Sequence, residues 1–447
     1  MKIFEELKER GLIAQMTHPV EVENALNNES ISFYIGFDAT ADSFHIGNLF
    51  QLVTVRRLQM AGHRPILLVG GATTKIGDPT GKDEMRKMLS DEEIAHNIER
   101  FKEQFGKFVE VEEGAPTPRD ARDGVPYEAN GENCVRRGHP CGVPSGDREG
   151  RPYEVPAAIV VNNDDWIGKM SVYEFIRIGF NFNLNDMLRQ ECYAVRRESG
   201  GLSIGEMCYL PIQSLDFLHL YEKYGCRMQM GGDEQWSNIL GGVDLIRKMK
   251  REKGNVFGIT FNIITTSEGK KMGKSEKGAI WLDEKKTSAY EFYQYWRNVA
   301  DADVIKSLKF MTFIPLDEIA EISTWQGAEL NKAKEILAWE LTKMVHGEEQ
   351  ANRAMEAARA LFGGGADNSN MPTTKIDIGE GILLLDLMLE IGLIPSKGEG
   401  RRLIEQGGVA INDEKVTSSD YIVKQTDFTD GELIIRKGKK TFHKIIL

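Results

Sequence analysis

The chain has 447 residues, 41% hydrophobic and 28% charged, which fits a globular protein of two or three domains. No apolar run approaches the ~20 residues of a membrane span, and the N-terminus lacks a signal core, so a cytoplasmic protein with no membrane partner is expected. A net charge of −12 excludes a broad nucleic-acid-coating surface. Five scattered cysteines do not make a disulfide framework.

Residues 1–28 read as a helix and a connection. Ile31, Phe33, Ile35 and Phe37 then alternate with Ser32, Tyr34 and Gly36, the period of a strand. Residues 46–60 follow with helical spacing, after a turn holding Thr40, Ser43 and His45. A helix N-terminus offers free N–H groups and partial positive charge, which suit a phosphate. Gly47 leaves room for a flat ring on the backbone. Residues 65–71 form a buried strand, running into a Gly/Pro-rich loop that contains Asp78 and Lys82. Residues 91–108 are helical. Alternating strands and helices predict a parallel sheet with helices on its faces, and ligands at the carboxyl ends of its strands.

Residues 114–156 break the pattern, holding half of the chain's 14 prolines. Such a stretch reads as a flexible insertion within 110–156. Its Cys134, His139 and Cys141 match no common zinc spacing, so no protein-bound metal is expected. Further on, 157–163 is a strand ending in amides, 171–188 and 203–224 are helical, 228–232 is a short strand, 235–250 a helix and 256–264 a strand. Tyr209, Gln213 and Asp216 fall on one face of the 203–224 helix, which is polar where a core-facing helix should be apolar.

Lys270-Lys271-Met272-Gly273-Lys274-Ser275 lies in a Gly- and Ser-flanked loop, and its lysines suit anionic oxygens. Residues 289–361 carry unbroken helical periodicity. Residues 363–370 are a linker by composition. A small domain closes the chain: a helix at 382–391, a second beginning at 395–396, then helix, glycine turn and strand from Arg401. Its end clusters Arg436, Lys437, Lys439, Lys440 and Lys444, and the clustering argues for phosphate contact.

His45-Ile-Gly-Asn48 and the lysine loop together resemble the two signatures of class I aminoacyl-tRNA synthetases, and the residues between them resemble the bacterial tyrosyl-tRNA synthetases. The resemblance covers nearly the whole chain except 110–156. It implies an α/β fold: a Rossmann-type parallel-sheet catalytic domain (1–261), a lysine-loop connector (262–288), an all-helical anticodon-recognition domain (289–362), a linker (363–378) and a small α+β S4-like RNA-binding domain (379–447), working as a homodimer. It implies activation of L-tyrosine by ATP, with Mg²⁺ on the nucleotide, and transfer of tyrosine to the terminal adenosine of tRNA(Tyr).

Carried over residue by residue, Tyr34 and Asp216 hold the substrate phenol, and Asp78, Tyr209 and Gln213 its ammonium. Thr40, His45, Lys82, Arg86, Lys271 and Lys274 bear on the phosphates during catalysis. Gly36, Asp38, Gly47, Asn48, Asn163, Glu234, Gln235, Met272 and Ser275 join Lys271 and Lys274 around ATP. Arg401, Arg402, Arg436, Lys437, Lys439 and Lys440 face tRNA. Two positions depart from the family pattern. Asn48 stands where the second signature histidine usually lies, and Glu234 replaces an aspartate. Three rival readings are a nucleotidyltransferase of the same superfamily, a tryptophanyl-tRNA synthetase, and a non-catalytic RNA-binding descendant.

Overall fold

The computed structural model describes residues 1–80, 89–112, 155–199, 201–251, 255–275, 278–362, 373–376, 378–379, 381–412, 414–429, 431–438 and 441–446. Nearly all of the expected insertion, with Cys134, His139 and Cys141, lies outside these residues, as do Lys82, Arg86, Lys439 and Lys440. The chain divides into two compact units. One comprises Met1–Ser288 and Tyr295–His346, the other Ala289–Gln294 and Gly347–Leu447.

The first unit is built on a six-stranded sheet of β1 (Ile13–Met16), β2 (Ser32–Phe37), β3 (Arg64–Val69), β4 (Ile159–Asn162), β5 (Cys226–Gly232) and β6 (Phe257–Phe261), in the order β1-β6-β5-β2-β3-β4. Five strands are parallel, as the alternation of strands and helices requires. β1 is antiparallel to β6 and was not expected. It is four residues long and pairs with a segment more than two hundred positions away, so nothing local marks it. Strand order reverses at β2, with β3 and β4 on one side and β5 and β6 on the other. The crevice beyond the carboxyl ends of β2 and β5 is therefore the switch point where ligands bind.

Because β2 is central, both of its faces are covered. Phe33, Tyr34, Ile35 and Phe37 are all buried, so the alternation of Ile31 to Phe37 does not mark an exposed face. The Ile46–Met60 helix follows, most of it buried. The expected loop after β3 instead begins with a short helix, Gly71–Ile76. The expected helix over 171–188 is two, Val172–Gly179 and Leu184–Arg189. The break is chemical: the Asn183 side chain accepts from the N–H groups of Asn185 and Asp186 and so restarts the helix.

The Ile204–Tyr224 helix opens on a Ser203–Glu206 capping box and closes on Gly225 at φ +61°. It packs tightly against the Trp236–Lys250 helix. A Cβ at Gly241 would come within 2.8 Å of both Leu210 Cδ2 and Ser214 Oγ. Only glycine lets the two helices approach so closely, and this contact presents the polar face of the longer helix to the crevice.

Helices Asp301–Met311, Leu316–Ile322 and Ala328–His346 complete the first unit. The second contains the Glu348–Phe362 helix and a five-stranded sheet in the order Glu414–Lys415, Val409–Ile411, Glu432–Lys437, Thr441–Ile446, Thr373–Lys375, with only the last pair parallel. Helices Leu384–Glu390 and Lys397–Glu405 bury Leu384, Leu387, Met388 and Ile404 with Leu433 and Ile435 of the sheet. Residues 382–383, expected to begin the first of these helices, pair instead with Ile422–Val423.

Candidate active site

The two signatures, more than two hundred residues apart in sequence, meet through main-chain hydrogen bonds. Ile46 N donates to Ile280 O at 3.2 Å, Leu282 N to Phe44 O at 2.8 Å, and His45 bridges Trp281. Ile280 N donates in turn to Gly273 O at 2.9 Å, inside the lysine loop. His45 caps the Ile46–Met60 helix: its Nδ1 accepts from Gly47 N at 3.0 Å, and Asn48 Oδ1 accepts from His45 N at 3.1 Å. One expectation is thereby corrected. The first N–H groups of this helix are engaged by Ile280, by the His45 ring and by His45 O. A phosphate here would meet the helix dipole and side chains rather than open amides. Gly47 also makes room for the His45 ring, since a Cβ would lie 2.9 Å from His45 Cε1. The Asn48 oxygen is committed to the cap, leaving its amide N–H₂ for a ligand.

Beyond β2 and β4 a continuous polar network forms. Tyr209 donates its hydroxyl to Asp38 Oδ2 at 3.1 Å, and Thr73 Oγ1 donates to Asp38 Oδ1 at 2.8 Å. Asn163 Nδ2 reaches Thr73 Oγ1 at 3.2 Å and Asp216 Oδ2 at 3.0 Å. Trp166 Nε1 donates to Asp216 Oδ1 at 2.8 Å. Asp216 is 2% exposed. Burial pushes its pKa up to about 7, against the two hydrogen bonds from Asn163 and Trp166 that pull it down; Asp38 adds to the rise.

Tyr34, on β2, packs its ring against Phe217 at 5.4 Å between centroids. Its hydroxyl is buried and has no hydrogen-bond partner among the described residues. Burial first, then the charge of Asp216, raises its pKa well above the ordinary tyrosine value. A buried hydroxyl without a partner costs about 1–3 kcal/mol, which a polar group entering from outside would offset. Asn163 was expected beside the nucleotide. It is fully buried, and its amide is occupied by Ala72 N, Thr73 and Asp216. Its amide N–H₂ thereby ties Thr73 to Asp216.

A second chain of amides lies alongside. Gln213 Nε2 donates to Gln235 Oε1 at 3.2 Å, and Gln235 Nε2 to Asp78 Oδ2 at 2.6 Å. Gln213 Oε1 has no partner among the described residues. A carboxylate, a free amide oxygen and the Asp38–Tyr209 pair suit a cation. Glu234 folds back over Gly232, where a Cβ would come within 2.4 Å of its Oε2. Gly36 and Thr40 are exposed at the end of β2, and Lys271 is exposed on its loop. Met272 is buried against Ser307. Lys274 and Ser275 form a short strand paired with Gly278–Ala279.

In the second unit, Arg401 and Arg402 are exposed on the Lys397–Glu405 helix. Arg436 and Lys437 lie on the Glu432–Lys437 strand, where Lys437 pairs with Glu399 at 3.2 Å. Lys444 is also paired, with Glu432 at 2.8 Å.

Sequence reasoning missed Thr73, Trp166, Asp303 and Tyr295. Asp303 accepts from Ser267 N at 2.7 Å, and Tyr295 OH accepts from Gly273 N at 2.7 Å, so two side chains of the helical segment hold the base of the lysine loop. Trp166 had a faint signal: an aromatic residue in the otherwise polar run after a strand.

Comparison with known proteins places the whole chain in one family. Residues 26–363 match the family described as tRNA synthetases class I (W and Y), and residues 365–445 match the tyrosine--tRNA ligase SYY-like C-terminal domain. The chain is 51% identical over 449 residues to the tyrosine--tRNA ligase of Acetivibrio thermocellus, covering 100% of this chain and 99% of the relative. It is 48% identical over 448 residues to that of Clostridium botulinum strain Hall, at the same coverage of 100% and 99%. Among solved structures, a C-terminally truncated mitochondrial tyrosyl-tRNA synthetase of Aspergillus nidulans superposes with a TM-score of 0.65 at 26% identity, covering 81% of this chain and 94% of that one.

Proposed function

This chain belongs to the class I tRNA synthetases, among the tyrosine--tRNA ligases, and from that premise we propose which of its residues carry the reaction. The enzyme activates L-tyrosine with ATP and transfers the tyrosyl group to the terminal adenosine of tRNA(Tyr). Tyr34 and Asp216 receive the substrate phenol, and Asp78, Tyr209 and Gln213 its ammonium. The observation that carries this is the partnerless buried hydroxyl of Tyr34 beside the carboxylate of Asp216. A phenol hydroxyl meets both, whereas phenylalanine leaves the Tyr34 hydroxyl without a partner and brings Asp216 no further donor. An indole, the rival substrate, does not need that pair.

The tyrosine carboxylate attacks the α-phosphorus in line, and pyrophosphate leaves with the charge of the broken bond. No protein nucleophile is involved. Catalysis rests on positioning and on stabilising the charge that develops on pyrophosphate. Thr40, His45, Lys271 and Lys274, with Lys82 and Arg86, are assigned to that charge. Gly36, Asp38, Gly47, Asn48, Glu234, Gln235, Met272 and Ser275 shape the nucleotide side. Mg²⁺ enters on ATP. The main-chain ladder between 44–46 and 280–282 supports this assignment by carrying the lysine loop to the signature helix.

Residues 289–362 are proposed to read the anticodon. The domain from 379, with Arg401, Arg402, Arg436, Lys437, Lys439 and Lys440, is proposed to grip tRNA phosphates. A homodimer is proposed because Val172, Tyr173, Ile176, Phe180, Leu184 and Ile204 form exposed apolar surface, with Phe180 85% exposed. No described helix is long and apolar enough to cross a membrane, and the cytoplasm is the proposed site of action.

Amino-acid-dependent ATP–pyrophosphate exchange tests the whole reading. Tyrosine should drive exchange, phenylalanine and tryptophan should not, and tRNA(Tyr) should then be charged. Exchange driven equally by tryptophan would sink the assignment.

A further inference from the structure

We propose that His219 is a positioning residue for substrate selection, bracing Trp166 so that its indole N–H stays on Asp216. The proposal rests on the reading of Asp216 as the phenol receptor. His219 lies three residues after Asp216 on the Ile204–Tyr224 helix, hence on the same face. Its ring stacks on Trp166 with centroids 4.3 Å apart and planes 11° from parallel. Trp166 in turn donates to Asp216 Oδ1 at 2.8 Å.

An indole carries a single donor fixed in the ring plane. A modest tilt of Trp166 therefore removes its bond to Asp216 without moving any backbone. Trp166 sits in a four-residue helix, Asp164–Ile167, after β4. Such a short element restrains its side chains weakly by itself. A flat ring on one indole face supplies the missing restraint.

His219 does not earn its place by a hydrogen bond at Nε2. That atom is buried and has no partner among the described residues. Burial and then the charge of Lys223 lower its pKa, so the ring stacks in its neutral form. What the imidazole does instead is cover the indole. With the brace removed, Asp216 loses one of its two donors, and the phenol meets a carboxylate that is free to turn.

The test is steady-state ATP–pyrophosphate exchange by the full-length enzyme carrying His219→Ala or His219→Phe, with thermal melting to confirm folding. His219→Leu fills the volume without a ring and serves if the alanine variant melts early. Loss of the ring should raise KM for tyrosine about tenfold and lower tyrosine-over-phenylalanine selectivity by a similar factor, in line with the loss of one charged hydrogen bond. KM for ATP should stay within twofold. His219→Phe, which restores a flat ring, should recover tyrosine KM and selectivity. A ringless variant with native tyrosine KM would overturn the proposal, and so would a phenylalanine variant as defective as alanine. A parallel rise in ATP KM would show a general structural defect and would overturn it too. Wild-type exchange with tyrosine is measured first. Its absence removes the underlying reading and the brace together, whereas its presence with an unaltered His219→Ala removes the brace alone.

Discussion

Gly273 of the lysine loop rests against Ile46 of the signature helix: a Cβ on the glycine would come within 2.9 Å of Ile46 Cβ. Gly273 also adopts φ +94°, which a side chain resists. The two signatures therefore touch at a point that tolerates only hydrogen.

Gly273→Ala should push the lysine loop off the Ile46–Met60 helix. The expected result is a slower adenylate step and a raised KM for ATP, each by at least about tenfold, with tyrosine KM within twofold. Strain of roughly 1–3 kcal/mol at this φ sets that scale. Stopped-flow measurement of tyrosyl-adenylate formation checks it, and a variant with native ATP kinetics would count against docking of the loop in the reactive state.

His45 caps its helix and is proposed to bear on the phosphates, and one substitution separates the two. His45→Asn keeps an N-cap acceptor but removes the imidazole, so melting should change by less than about 1 kcal/mol. Adenylate formation should still fall by about a hundredfold, the scale of a lost group that stabilises transition-state charge. Tyrosine binding should be untouched, as equilibrium dialysis can show. Equal losses in both would refute the assignment to pyrophosphate charge.

Asp216 makes the enzyme sensitive to pH in two opposite ways. Its folded pKa is raised from the ordinary 3.8 to about 7, so the folded state holds the proton more tightly than the unfolded chain. Its contribution to stability is complete below about pH 4 and is lost as pH rises through 7, by on the order of 4 kcal/mol. In the proposed site tyrosine binds the ionised carboxylate, so its binding should weaken as pH falls below 7. Melting curves of the unliganded protein from pH 5 to 8 check the first, and tyrosine KM over that range checks the second. Asp216→Asn should flatten both slopes.

Phe180→Asp should dissociate the proposed dimer by placing a charge in its apolar surface. Sedimentation should then report a species of half the native mass, with the melting temperature little changed because Phe180 is 85% exposed in the single chain. A native sedimentation profile would exclude this surface as the interface.

Much of the molecule is legible in residue order. The helix from Ile46 to Met60 and the strand–helix alternation are legible from the spacing of apolar residues, although that helix is mostly buried and β2 is covered on both faces. Tyr209, Gln213 and Asp216 announce a ligand because their shared face is polar in a helix that must pack inward. β1 and the break at Asn183 were not legible from the pattern. The first is set by a distant partner, and the second by a local hydrogen bond that competes with the helix.

The sequence alone determined which chemical groups this enzyme owns and which helix face or loop carries each, since those depend on neighbours within a few residues. Tertiary structure decided how they are held. Trp166 reaches Asp216 across fifty positions, Asn163 donates to the same carboxylate, and residues 280–282 close over the first turn of the signature helix. A periodic pattern reports that a face is buried. It carries no information on what lies against it, because a hydrogen bond depends on distance and direction in space, not on separation along the chain.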